Sequence, residues 1–352
     1  MSIHVHSRKH AEYFLAGSIV MDVLSDLLET IRLNGAVFFR AAFSAPWTVR
    51  SESAERLRAF LQPSGAQSEH APTRRLVPTR RLVLFHFLAR GRCWLEVNGD
   101  RRELESGDVI VFPYGDEHVM GCGQARATEG IASLFPSPPP WDEPPLLTTG
   151  GGGEQTQIIC GFLSCDQALF NPLFEALPAL LLVRPRDEAQ ARLLRSSLEF
   201  LGAELERPAP GAQSVTRRLT ELLFVEIVRQ HASELAQGQL GWLAALQDDA
   251  IRRALEAIHA QPNADWSVED LAKRAAMSRS AFYERFTELV GDPPGQYLTR
   301  WRLQRAAHLL VATELSLAAI AERVGYGSEA ALVRAFKRTT GESPAAFRKQ
   351  RR

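Results

Sequence analysis

Apolar positions change their spacing twice along the chain. Residues 21–32 (MDVLSDLLETIR) place them three and four apart, the spacing of one helix face. From Ala36 to Gly123 the pattern shifts to short apolar or alternating runs bounded by turn residues, the mark of strands. Residues 82–88, 93–97 and 109–112 are such runs, and Asn98-Gly99 predicts a two-residue hairpin turn. Residues 136–153 (PSPPPWDEPPLLTTGGGG) predict a loop without regular structure, because Pro and Gly dominate them. Residues 157–163 and 180–183 read as further strands. Helical spacing returns over 187–206 and 214–236, separated by the Pro/Gly break at 208–211 and followed by a hinge at 237–241. Beyond the hinge every segment reads as helix. The expected order is an unstructured extension over 1–20, a β-rich domain over 21–186, a helical pair over 187–241 and an all-helical domain over 242–352.

The all-helical domain contains an internal repeat of about fifty residues. The first copy holds Leu271-Ala272, Ala275, Ser278, Phe282, Phe286, Gly291, Pro294 and Tyr297. The second holds Ile320-Ala321, Val324, Ser328, Leu332, Phe336, Gly341, Pro344 and Phe347, with identical offsets from each serine onward. Each copy reads as helix, tight turn, helix. Ser267 and Asp270 form a capping box that opens the first helix, Ala276-Met277 makes the turn, and Ser278 caps the second. In the second copy Gly325-Tyr326-Gly327 is the turn and Ser328 the cap. Such a pair at a steep angle is the helix-turn-helix, whose second helix enters the major groove of DNA. Residues 295–310 predict one long helix between the copies, with Tyr297, Leu298, Trp301 and Leu310 for packing. A rigid connector of this kind sets the recognition helices about 34 Å apart, one DNA turn.

Fixing the buried positions names the outward ones. These are Arg279, Ser280, Tyr283 and Glu284 in the first recognition helix, and Glu329, Ala330, Val333 and Arg334 in the second. Arg279 and Arg334 have the donors for guanine or phosphate, and Glu284 and Glu329 the acceptors for cytosine. Lys337, Arg338, Arg348 and Lys349 are expected on phosphates, where contacts position without specifying. The charge distribution agrees. Across 352 residues the net charge is zero, yet 17 Lys and Arg stand against 13 Asp and Glu from Gln247 onward. The remainder holds 24 against 28, so a basic module adjoins an acidic one.

The last hundred residues resemble the AraC/XylS family of bacterial regulators. The likeness is carried by Leu271-Ala272, Met277-Ser278, Phe282, Arg285-Phe286, Gly291, Pro294 and Tyr297. The second half adds Arg302-Leu303, Ile320-Ala321, Val324, Gly325-Tyr326, Ser328, Phe336-Lys337, Gly341, Pro344 and Phe347-Arg348. The resemblance implies bipartite recognition of double-stranded DNA and transcription control, usually activation through RNA polymerase. Glu284 departs from it, standing where the family often carries a basic or amide base reader.

Upstream, Gly107, Pro113, Gly115 and His118 have the spacing G-x5-P-x-G-x2-H, which resembles the second motif of the cupin β-barrel. The resemblance places His86 as the first metal histidine, but Leu88 occupies the second position and Arg92 that of the expected Glu. Cys122 stands where the second motif often has Asn. A His86/Cys93/His118/Cys122 cluster would suit zinc; the alternative is histidines hydrogen-bonded within a barrel that takes an organic ligand or none. The fold class expected is multidomain: an all-β cupin-like barrel, a helical pair, and an all-α double helix-turn-helix domain.

The remaining composition narrows the function. Four cysteines in this length point to a reducing compartment, and the first twenty residues lack the apolar core of a secretory signal. No apolar run can span a bilayer, so the expectation is a cytoplasmic protein without a membrane partner. Cys160 and Cys165, five apart on one continuous strand, would face opposite sides about 16 Å apart, beyond bridging distance. Gly150–Gly153 lacks the Lys-Ser/Thr of a phosphate loop. The expected function is a homodimeric transcription regulator whose barrel answers a small-molecule or redox effector. The alternatives are a constitutive DNA-binding protein whose barrel only dimerises, and a metal-dependent cupin enzyme.

Overall fold

The computed structural model describes residues 22–31, 33–61, 81–137, 141, 144–165, 169–184, 188–207, 209–235 and 239–351. The extension expected over 1–20 lies outside them. The chain divides into two compact units.

One unit comprises residues 31–168 and 172–239. Its strands are β1 (Leu33–Ser44), β2 (Trp47–Ser51), β3 (Arg81–Arg90), β4 (Arg92–Val97), β5 (Asp100–Glu105), β6 (Val109–Phe112), β7 (His118–Cys122), β8 (Glu129–Gly130), β9 (Leu146–Gly150), β10 (Gln155–Cys165) and β11 (Leu181–Val183). They form a six-stranded sheet in the order β11-β6-β3-β10-β1-β9 and a five-stranded sheet in the order β5-β4-β7-β2-β8. Between the sheets lies a core that includes Phe38, Phe43, Trp47, Leu84, Leu95, Phe112, Ile158 and Phe162. The expected hairpin joins β4 to β5: Val97 pairs with Asp100, and Asn98 (φ 50°) and Gly99 (φ 81°) both take the positive φ that this tight turn demands.

The unbroken apolar run of β3 has a reason. Its inner face lines the core, and its outer face is covered by the helical pair α4 (Glu188–Glu206) and α5 (Ala212–Glu234). Phe85, Phe87, Val109 and Val111 of the sheet meet Leu194, Leu198, Leu223, Phe224 and Ile227 of that pair. Helix α5 approaches β1 so closely that a Cβ at Gly35 would lie 2.6 Å from the Thr220 side chain. One expectation is corrected. Residues 146–150 of the Pro/Gly-rich stretch form strand β9, which pairs in parallel with β1 from Arg40↔Leu146 to Ser44↔Gly150. An edge strand needs only one partner, and Leu-Leu-Thr-Thr supplies the β-forming residues within that stretch.

The other unit comprises, among the described residues, 22–30, Leu169–Asn171 and 240–351. It holds α1 (Val23–Glu29), α6 (Trp242–Ala245), α7 (Asp249–Ala260), α8 (Val268–Arg274), α9 (Arg279–Val290), α10 (Pro294–Ala312), α11 (Leu317–Val324), α12 (Glu329–Thr340) and α13 (Pro344–Arg351). Helix α1, placed with the β-rich domain on sequence grounds, packs here against α7. Leu27 is fully buried, and Asp22 caps the helix by accepting the Ser25 N–H at 3.0 Å. Phe170 packs edge-on against Tyr297 at 5.1 Å and lies under the Arg300 guanidinium at 4.3 Å.

Candidate nucleic-acid interface and barrel interior

Local rules build the first helix-turn-helix. Ser267 Oγ accepts the Asp270 N–H at 3.1 Å, and the Asp270 carboxylate returns to the Ser267 N–H at 3.3 Å, completing the expected capping box of α8. The chain then reverses through Ala276, a non-glycine residue at φ 55°, and Ser278 caps α9 through the Ala281 N–H. Phe282 and Phe286 are fully buried, 5.5 Å apart, on the inner face of α9. Arg279, Ser280, Tyr283 and Glu284 are all exposed on the other side.

The second unit repeats this scheme with different turn chemistry. Gly325 ends α11 at φ 84°, and Ser328 caps α12 through the Ala331 N–H at 3.2 Å. Leu332 and Phe336 are buried, while Glu329, Ala330, Arg334, Lys337 and Arg338 are exposed and Val333 is half-buried. Between the units α10 runs 19 residues, about 28 Å at the helical rise, with Tyr297, Leu298, Trp301 and Leu310 buried. The Arg348 guanidinium, expected on a phosphate, donates to the carbonyls of Leu310 (3.0 Å) and Leu315 (2.6 Å), closing the end of α10.

The two units differ in electrostatics. Arg285 is held by hydrogen bonds to Asp248 and Glu288, and Arg279 forms an ion pair with Glu269, Nε lying 2.8 Å from Oε1. Arg334, Lys337 and Arg338 make no ion pair among the described residues. Glu269 escaped the sequence reading because two helices bring it to Arg279, and no local pattern marks that approach.

Inside the barrel, the register of β3 against β10 places His86 beside Cys160, and β7 begins at His118. His86 Nε2 lies 2.7 Å from His118 Nε2, His86 Nδ1 lies 2.9 Å from the Cys160 sulfur, and His118 Nδ1 lies 2.9 Å from the Asp116 carbonyl. That carbonyl can only accept, which orders the rest. His118 donates from Nδ1 and accepts at Nε2 from His86, whose Nδ1 accepts from the Cys160 thiol. Every member is neutral and satisfied. Burial pushes His86 well below the usual imidazole range, with His118 adding to it, and lowers His118 to about 4. It also raises the Cys160 thiol well above its ordinary value.

The four residues suggested for zinc are therefore divided. His86 and His118 meet each other. Cys122 lies four residues along β7 from His118, about 13 Å at the strand rise. The register Trp94↔Gly121 instead sets Cys93 beside Cys122 across β4 and β7. Burial, with Cys122 next in weight, pushes the Cys93 thiol up to about 12. Among the described residues no three His, Cys, Asp or Glu side chains are placed to hold a metal ion. Cys160, the third member of the histidine network, had no metal spacing to reveal it. Strand β10 is continuous, so Cys160 turns inward to His86 while the Cys165 thiol faces the Arg81 carbonyl at 3.6 Å.

Among the described residues no helix is long and apolar enough to cross a membrane. Residues 22–233 match a cupin family model, and residues 271–350 a helix-turn-helix domain. The chain is 33% identical over 282 residues to a putative AraC-like transcription regulator of Streptomyces lividans, covering 76% of this chain and 87% of that protein. It is 30% identical over 334 residues to the HTH-type transcriptional regulator AlkR of Acinetobacter baylyi, covering 94% and 100%. Among solved structures it is similar to the DNA-binding domain of AdpA in complex with a target DNA, at 37% identity and a TM-score of 0.28. That match covers 29% of this chain and 92% of the other.

Proposed function

The chain belongs to the AraC-type DNA-binding transcription regulators that carry a cupin domain ahead of the helix-turn-helix units, and we propose that one chain engages two successive major grooves. The observation that carries this reading is the pair of capped, outward-facing helices, α9 and α12, joined by one buried connector helix. Arg334, Lys337 and Arg338 supply phosphate affinity, and the residues of α9 supply discrimination.

The barrel is proposed as the effector-responsive half of a cytoplasmic homodimer. Its interior holds a neutral, buried His86–His118–Cys160 network of the kind a small molecule or an oxidant would disturb. Dimerisation is assigned to the helical pair. Leu193 and Phe200 on α4, and Val215 and Leu222 on α5, are large apolar side chains left 42–50% exposed at seven-residue spacing. The relatives are transcription regulators, which favours a sensory barrel over a catalytic one and, for an activator, RNA polymerase as a further partner.

The test is a salt titration of the purified protein on DNA from upstream of its own gene, against scrambled DNA of equal length. Specific binding that weakens about tenfold or more in Arg334→Ala but survives an exposed control substitution supports the reading. Absence of binding to either DNA at low salt, where phosphate attraction is strongest, overturns it.

A further inference from the structure

The two helix-turn-helix units share a frame but not a charge. From Ser267 to Val290 four basic residues meet four acidic ones, whereas from Ser316 to Thr340 four basic residues meet two. Aligned on their cap residues, Glu269 and Arg279 of the first unit correspond to Ala318 and Glu329 of the second. The Glu269–Arg279 contact is thus peculiar to the first unit.

Its geometry is specific. Glu269 Oε1 pairs with Arg279 on its Nε side, at 2.8 Å. Among the described residues no hydrogen bond engages its two terminal nitrogens. Those two nitrogens are the edge that bonds O6 and N7 of guanine in the bidentate pairing. Arg279 is also the first residue of α9 after its cap, in the part of a recognition helix that reaches base edges. The pair contributes little to the fold, since the side chains are 71% and 49% exposed. Its consequence is to fix a long side chain that would otherwise lose rotamer freedom on binding. Two other basic residues of this unit are used differently: Arg285 on Asp248 and Glu288, and Arg274 over the Trp266 ring.

We propose that Glu269 is a positioning residue that presents Arg279 end-on to a guanine, so that the first unit discriminates sequence while the second supplies affinity. The proposal rests on the DNA-binding reading above. It carries an unusual signature. A carboxylate this close to the DNA also repels phosphates, so removing it should weaken discrimination and strengthen non-specific binding together.

The experiment selects duplexes from a random pool with the full-length chain. It then measures affinities for the selected duplex, for each single-guanine replacement, and for a scrambled duplex. In the wild type, one guanine replacement should cost roughly tenfold to a hundredfold, and Arg279→Met should abolish the penalty at that guanine alone. Glu269→Gln, which leaves the Ser267–Asp270 cap intact, should cut the same penalty about threefold to tenfold and raise scrambled-duplex affinity about twofold. Glu288→Gln serves as a charge-matched control and should raise scrambled binding without touching the guanine penalty. Thermal unfolding of each variant should match wild type. The proposal is overturned if no guanine loses its penalty in Arg279→Met. It is equally overturned if Glu269→Gln leaves that penalty unchanged, or weakens both duplexes equally. Failure of the wild type to bind any duplex at low salt would remove the DNA-binding reading itself.

Discussion

His118 illustrates how burial converts a common residue into a pH-dependent element. Its ring stacks on Phe112 at 4.0 Å, bonds His86 and the Asp116 carbonyl, and is held neutral with a pKa near 4 chiefly by desolvation. In the unfolded chain the same ring takes a proton near pH 6.5. The folded state thus binds fewer protons, so the stabilisation is complete above about pH 6.5 and is lost as pH falls toward about 4. His86 and His259 shift in the same direction, both first through burial. Denaturant unfolding of the wild type should show stability falling across that window. His118→Asn should flatten the slope, with on the order of 3 kcal/mol at stake from this ring. A slope unchanged by the substitution would show that His118 does not carry the pH dependence.

The turns within the two helix-turn-helix elements solve one problem with different residues. The first uses Ala276 at φ 55°, a conformation that costs a residue bearing a Cβ about 1 kcal/mol. The second uses Gly325 at φ 84°, where a Cβ would meet Asn263 Cα at 2.7 Å and the Arg302 guanidinium at 2.8 Å. Ala276→Gly should therefore raise stability by up to about 1 kcal/mol, and Gly325→Ala should lower it by about 2 kcal/mol or more. Thermal unfolding of the two variants checks the opposite signs. The caps and aromatic pairs of these elements were legible in the sequence because they lie within one or two turns of the residues they serve. The short strand β9 was not, since pairing with a strand over a hundred residues away outweighs the Pro/Gly character around it.

At the scale of the molecule, chain order and unit membership differ. The buried Gln304 of the connector helix α10 accepts the Phe170 N–H at 3.2 Å and donates to the Thr30 carbonyl at 3.3 Å. Beside it Trp242 donates to the Tyr297 hydroxyl, which lies 2.9 Å from His259 Nε2, and His259 Nδ1 faces Asp26 at 3.6 Å. Two segments from the first half of the chain thus complete the core around the connector. Gln304→Leu leaves the Phe170 N–H and the Thr30 carbonyl unpaired, and should destabilise this unit in the full chain by about 1–3 kcal/mol. The same substitution in a fragment of residues 240–352, which lacks both partners, should be neutral or stabilising. Equal losses in the two backgrounds would sink this account of Gln304. For the homodimer proposed above through the helical pair, Leu222→Glu should shift the sedimentation coefficient from that of a dimer to that of a monomer with helicity unchanged. Retention of the dimer would move the interface elsewhere.

The sequence by itself determined the repeat, the caps, the outward faces of α9 and α12, the hairpin at Asn98-Gly99 and the division into β-rich and helical parts. Each is written in short-range steric preference or in the period of apolar positions, which neighbouring residues decide among themselves. Only the tertiary structure decided that His86 meets Cys160 and not Cys122, that Arg348 closes a helix, and that Glu269 grips Arg279. It alone decided that Gln304 bonds residues 134 and 274 positions away. Those pairings follow from strand register and helix crossing, which the whole core sets through the sum of many weak contacts, and no local pattern encodes them.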